Sequence, residues 1–226
     1  MEVIYIAEPI IDTEINKLIA VEVLSRFYSK TGIHLSTQKV LGMFTTTMKI
    51  NLLKSQIKAI IKHRDFFECH GILCSVNIDY DTCLYISRNK EIQEMIMGNK
   101  FITLEISETY PELAQEKDVI PFLCSLTKHI WLDDFGSGNS TISTLMKNKY
   151  HAIKLDRCFY QENIDKPHFD VLIKNLKRLC PNIIAEGVEN SYYNRLSKGA
   201  GLWCSQGYFF PSIQLSQIEL INSAWL

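Results

Sequence analysis

The sequence predicts an α/β fold closed into a (β/α)8 barrel in which one strand runs against the rest. Three observations carry that prediction. Eight short apolar runs recur along the 226 residues, and longer amphipathic stretches lie between them. The first connection breaks this alternation, because only six residues separate the first two apolar runs. From the second run onward, each apolar run also delivers a charged or amide residue near its carboxyl end, where barrels build their sites. An open doubly wound sheet is the other architecture that such an alternation allows.

The elements follow in order. Residues 3–11 (VIYIAEPII) and 18–24 (LIAVEVL) flank Asp12-Thr13-Glu14-Ile15-Asn16-Lys17, which is too short for a crossover helix. These two strands are therefore expected to form an antiparallel hairpin. A helical pattern over 37–68 follows, with Ser36-Thr37 as its start signal. The strand runs 72–78 (ILCSVNI), 101–106 (FITLEI) and 130–135 (IWLDDF) precede helical patterns at 81–97, 110–127 and 140–148. The last three runs, 151–156 (HAIKLD), 182–188 (NIIAEGV) and 202–209 (LWCSQGYF), precede helical patterns at 166–179, 191–198 and 215–224, with Ser191 as an expected cap. From residue 72 onward the runs are short and rich in β-branched or aromatic residues, which favours strands over buried helices. No linker, low-complexity tract or tandem repeat interrupts the chain, so residues 1–226 read as a single domain.

Composition narrows the functional classes. Apolar residues make up 46% and charged residues 22%, an ordinary globular balance. A chain of this length buries ~70% of its unfolded surface, enough for a sizeable core. Lys plus Arg number 24 against 25 Asp plus Glu. That balance lacks the basic excess expected of a partner for polymeric nucleic acid or an acidic membrane. No apolar run approaches the ~20 residues of a membrane span. The seven cysteines include no CxxC pair, which argues against a zinc ribbon or redox dithiol. Free thiols and the absence of a basic n-region ahead of an apolar stretch set the expectation of a cytoplasmic protein.

The strand-end residues are Glu22, Asn77, Glu105, Asp133 with Asp134, Lys154 with Asp156, Glu186 with Glu189, and Gln206. Singly, each has an ordinary reading as a solvated charge, a turn amide or a helix-entry carboxylate. All of those readings holding at successive strand ends is far less probable than one shared cup. In a parallel barrel these residues converge, placing up to six carboxylates around Lys154. Like charges that share a site cannot all remain ionised, and a divalent cation resolves the conflict. Oxygen ligands with one amide suit Mg²⁺ or Mn²⁺. Adjacent Asp133 and Asp134 would face opposite ways inside a regular strand. At a strand end entering Phe135-Gly136-Ser137-Gly138, both can turn toward one site.

Several runs together resemble the signature series of EAL domains, a family of cyclic di-GMP phosphodiesterases. They are Glu22-Val23-Leu24-Ser25-Arg26, Ser75-Val76-Asn77-Ile78, Leu104-Glu105-Ile106-Ser107-Glu108, Asp133-Asp134-Phe135-Gly136-Ser137-Gly138, Ile153-Lys154-Leu155-Asp156-Arg157, Ala185-Glu186-Gly187-Val188-Glu189-Asn190 and Gln206-Gly207-Tyr208. The resemblance extends in order from Glu8-Pro9-Ile10 to about Pro211, and it implies a modified TIM barrel with an antiparallel strand. It also implies that Glu22, Asn77, Glu105 and Asp133 ligate one Mg²⁺ or Mn²⁺, and that Asp133 and Asp134 with Glu186 hold a second. Lys154 would contact the attacking water, Glu186 would serve as general base and Asp156 would orient Lys154 or the metal shell. Arg26 would clamp a substrate phosphate, Leu24 and Gln206 would line the substrate site, and Glu108 would steady the loop after Asp134. Homodimerisation through that loop is a family habit. The departures are modest: Val23 and Ser25 replace the usual Ala and Leu, Asn139 stands where an aromatic is common, and Pro211 comes early. The resemblance leaves one alternative of another class, a cyclic di-GMP receptor or protein-binding regulator. An unrelated barrel hydrolase acting on another phosphodiester is the third reading.

Overall fold

A computed structural model describes residues 1–107, 120–138 and 142–226. The expected hairpin is present. Strand β1 (Glu2–Asp12) pairs antiparallel with β2 (Leu18–Tyr28), with Glu8 opposite Glu22 and a register shift at Ile10/Ile11. Asp12 closes the turn by accepting the backbone N–H groups of Glu14 and Ile15 at 2.8 and 2.9 Å, and Asn16 takes a left-handed φ of 55°. Short-chain Asp and Asn make such turns because their side chains bond nearby backbone.

From β2 the sheet continues in parallel through β4 (Leu73–Ile78), β5 (Ile102–Ser107), β6 (Ile130–Phe135), β7 (Ala152–Leu155), β8 (Ile183–Ala185) and β9 (Cys204–Gln206). Strand β9 then pairs antiparallel with β1 and closes an eight-stranded barrel. Two-residue strands β3 (His34–Leu35) and β10 (Ile213–Gln214) extend it beyond the closed ring, and neither is marked by an apolar run. The predicted reversal is confined to β1 among the barrel strands.

Most helical expectations hold in place but not in continuity, and residues 110–119 and 140–141 of the expected helices lie outside the described residues. The 37–68 pattern is three helices, α1 (Thr37–Gly42), α2 (Thr46–Ile61) and α3 (Arg64–His70), because Ser36 and Thr45 each cap a separate start. The 81–97 pattern divides into α4 (Tyr80–Arg88) and α5 (Lys90–Met97) at Asn89, whose Oδ1 accepts from Ile92 N at 3.2 Å. Side-chain amides that compete for backbone in this way break a continuous pattern. Further on lie α6 (Ile120–Leu126), α7 (Ile142–Lys147), α8 (Arg157–Asn163), α9 (Phe169–Leu176) and α10 (Ser191–Gly199). Helix α8 was not anticipated. The cap of α10 is Asn190 rather than Ser191, and 215–224 forms 3₁₀ turns instead of an α-helix. Among the described residues no helix is long and apolar enough to cross a membrane.

Alternation along the strands sorts two cores. Outward-facing residues such as Val21, Val76, Leu104, Leu132, Ile153 and Ile183 pack into the large core beneath the helices. Inward-facing Ile10, Ala20, Trp131, Ala152, Ile184 and Cys204 form a second, fully buried cluster. That cluster fills the lower barrel, as side-chain layers do in closed barrels, and the site rests on it.

Candidate active site

One inward step along each parallel strand leads from the apolar floor to a polar layer. Ala20 is followed at that spacing by Glu22, Trp131 by Asp133, Ala152 by Lys154, Ile184 by Glu186 and Cys204 by Gln206. Ser75 and Thr103, both fully buried, precede Asn77 and Glu105 in the same way. Period-two alternation therefore delivers these residues to one level of the barrel.

Lys154 is the hub. Its fully buried Nζ lies 2.7 Å from Glu186, 2.9 Å from Glu22, 3.0 Å from Glu105 and 3.4 Å from Asp133. Glu22 also accepts from Asn77 Nδ2 at 2.6 Å and from Gln206 Nε2 at 2.7 Å. The structure thus joins six of the predicted residues directly through Lys154 and Glu22, and Gln206 with them. Asp134 joins through a backbone device. A register shift interrupts the β6–β7 pairing between Leu132 and Phe135, and Asp134 adopts a left-handed φ of 58°. Bulged strands re-aim side chains in this way. Oxygens of Asp133, Asp134 and Glu186 consequently lie within 4.8 Å of one another.

The electrostatics follow from burial. Glu186 is pushed up to about 8 by burial, against the pull of Lys154. Burial and the neighbouring Glu22 raise Glu105 well above the usual carboxylate range, and burial raises Asp133 as well. Glu22 is the exception: burial opposes its charge, but Lys154 and the amides of Gln206 and Asn77 prevail and hold it low. Lys154 stays firmly charged because Asp133, Glu105, Glu186 and Glu22 together outweigh its own desolvation. Glu22, Glu105, Asp133, Asp134 and Glu186 thus face a single ammonium. Glu105 Oε1 and Gln206 Oε1 are buried with no hydrogen-bond partner among the described residues. An oxygen-rich, over-acidic cluster with unpartnered buried oxygens fits hard divalent cations.

Two cavities open beside the cluster and meet at Leu24. One, of about 250 Å³, is walled by Glu8, Glu22, Arg157, Glu186, Glu189, Gln206 and Tyr208 among others. The other, of about 500 Å³, has apolar walls from Leu41, Leu52 and Leu53 and polar tips that include Arg26, Lys49 and Asn77. Backbone approaches backbone closely at the first cavity: Gly207, at φ 150°, packs where a Cβ would collide with the Val188 backbone. Only glycine fits there.

Asp156 has a partner of its own. Asp156 Oδ1 accepts Phe159 N at 2.9 Å and caps α8, a helix-starting role of its own. Glu108 lies outside the described residues, as does Asn139. Three residues at the first cavity were not singled out as site residues from sequence. Glu8 binds Arg26 at 2.9 Å, Arg157 pairs with Glu189 at 2.7 Å, and Tyr208 stands 82% exposed at the rim. Glu8 was legible in principle, since the floor-to-site step reverses on the antiparallel strand and leads from Ile10 back to Glu8.

With this geometry, the EAL domain pattern matches residues 2–212. The chain belongs to the EAL domain family. It is 29% identical over 187 residues to the cyclic di-GMP phosphodiesterase PdeH of Escherichia coli, covering 80% of this chain and 71% of that protein. It is 24% identical over 210 residues to E. coli YdiV, named as a putative anti-FlhC(2)FlhD(4) factor, covering 90% and 89% of the two. The crystal structure of the EAL-like protein YdiV superposes with a TM-score of 0.85 at 23% identity, over 97% of this chain and 96% of that one. The Klebsiella pneumoniae BlrP1 calcium/cyclic di-GMP complex superposes at 0.74 with 17% identity, over 95% and 57%. Both superpositions speak for the fold.

Proposed function

We propose that this EAL domain is a metal-dependent phosphodiesterase that hydrolyses cyclic di-GMP to linear pGpG. The observation that carries the reading is the intact polar cluster, in which Glu22, Glu105, Asp133 and Glu186 surround Lys154, Asn77 bonds Glu22 and Asp134 lies beside Asp133 and Glu186. Fully ionised, the five carboxylates against one ammonium would carry four negative charges, which two divalent cations would offset. Mg²⁺ or Mn²⁺ suits that all-oxygen set.

Glu22, Asn77, Glu105 and Asp133 would hold one ion, and Asp133, Asp134 and Glu186 the other. When bound, such a pair acidifies the attacking water and offsets charge on the leaving oxygen. Lys154 Nζ, fixed by carboxylates on four strands, positions that water and adds a preorganised positive charge. Glu186, within 2.7 Å of Lys154 and beside Asp133 and Asp134, stands where it can accept the water's proton. Arg26 offers a planar fork to a substrate phosphate at the edge of the larger cavity. Leu24, which lines both cavities, would line the substrate site. Gln206 steadies Glu22, and Asp156 supports the site through the start of α8.

The test is hydrolysis of cyclic di-GMP by purified protein with Mg²⁺, with Mn²⁺ and with chelator, beside Glu22→Ala. We expect metal-dependent pGpG, abolished by chelator and lowered at least about 100-fold in the variant. Turnover that persists in Glu22→Ala overturns the ligand assignment. The relation to YdiV favours a second reading, a regulator that binds another protein, and an inert but folded protein supports it.

A further inference from the structure

We propose that Glu8 sets the ligand affinity of this site by occupying the guanidinium of Arg26, so that an incoming phosphate must displace a carboxylate built into the barrel. The inference rests on the reading of Arg26 as the phosphate clamp, and it adds a competitor to that reading.

The register puts Glu8 in the polar layer, directly opposite Glu22 on the β1–β2 ladder. Like charges directly opposite on antiparallel strands repel, so each needs its own counter-charge. Glu22 has Lys154 together with the amides of Asn77 and Gln206. Glu8 has Arg26, Nη2 to Oε1 at 2.9 Å, as its main counter-charge, with smaller support from the Gln206 amide and Lys154. The two side chains are only 29% and 25% exposed, so water screens the pair less than it would a surface bridge.

The form of the contact makes it exchangeable. One Nη2 meets one carboxylate oxygen, whereas Nη1 makes only a 3.4 Å approach to the Ser25 carbonyl. A phosphate that accepts two parallel N–H bonds offers Arg26 a better partner than this single contact. Taking it strips Glu8 of its counter-ion while Glu8 faces Glu22 across the ladder. Every anionic ligand that engages Arg26 carries that penalty, and Glu8 is accordingly a positioning residue that weakens binding.

Replacing Glu8 with Gln keeps shape and a carbonyl acceptor but removes the charge. Expected is a KM for cyclic di-GMP about tenfold lower in Mn²⁺, with the change in KM rather than kcat, because the gain applies equally to substrate and transition state. Calorimetry in chelator should show a matching drop in Kd. Glu189→Gln serves as the charge control, since it removes a carboxylate from the same cavity that pairs with Arg157 rather than Arg26. An unchanged or higher KM in Glu8→Gln, with the unaltered protein active, overturns the inference and leaves the phosphodiesterase reading standing. An equal gain in Glu189→Gln assigns the effect to net charge and also overturns it. Neither binding nor turnover by the unaltered protein overturns both.

Discussion

Lys154 is the residue on which the site's charge balance turns. It is fully buried, and four carboxylates converge on its Nζ. Removing one member of a buried ionic network leaves the others uncompensated, at a cost of about 3–5 kcal/mol. Lys154→Met should therefore lose about that much stability in chelator, as read from urea denaturation. A divalent cation supplies the missing positive charge, so saturating Mn²⁺ should restore most of the loss while turnover stays absent. If Mn²⁺ restores nothing, the carboxylates do not form a cation site. Sequence made these residues legible because a charged side chain inside an apolar strand run has few reasons to be there. It left Glu8 unread, because the pattern of polar strand ends holds for parallel strands and β1 runs the other way.

At the level of elements, Asp156 separates a capping role from a chemical one. Its carboxylate accepts the Phe159 N–H and starts α8, the helix that also carries Arg157 to the smaller cavity. Losing an Asp N-cap to Ala costs about 1 kcal/mol, while Asn or Ser preserves the bond. Asp156→Ala should lower stability by about that amount and Asp156→Ser should leave it nearly unchanged. Turnover should follow the same order. Equal losses of turnover in both variants, with Asp156→Ser still as stable as the parent, would show that the carboxylate's charge serves Lys154 directly. The same capping chemistry explains which parts of the helical layer sequence reading missed. Amphipathic periodicity runs unbroken across Thr45 and Asn89, yet each side chain starts a new helix there. Helix α8 was obscured for a related reason, since its cap lies in the apolar run assigned to β7 and was assigned to chemistry. The barrel itself was legible because its evidence was length: a six-residue connection admits a hairpin and excludes a crossover.

For the whole molecule, the acidic layer ties stability to pH and to divalent cations. Glu186 rises from an ordinary value near 4.5 to about 8 in the folded protein, so the folded state binds more protons than the unfolded chain between those values. Stability from this group is fully present below about 4.5 and is lost as pH climbs through 8. Glu105 and Asp133 are raised as well and act in the same direction. The histidines oppose this at lower pH, because burial pulls His151 down to about 4 and lowers His129 too, which makes stability rise between about 4 and 6.5. Above 6.5 these histidines are largely neutral in both states, and the raised carboxylates act together with the Cys74, Cys180 and Cys204 thiols, which burial holds above the usual thiol range and which also cost stability as pH rises. In chelator, the Tm should fall from pH 7 to pH 8.5. Divalent cations bind the ionised carboxylates, so saturating Mg²⁺ or Mn²⁺ should raise the Tm more at pH 8.5 than at pH 6.5 and flatten the decline. Glu186→Gln should make it shallower without metal, leaving the part set by Glu105, Asp133 and the buried thiols. A chelator-treated protein whose Tm is level or rising across that window would mean that Glu186 is already ionised in the metal-free fold, and the proposed link between the acidic layer and pH would fail.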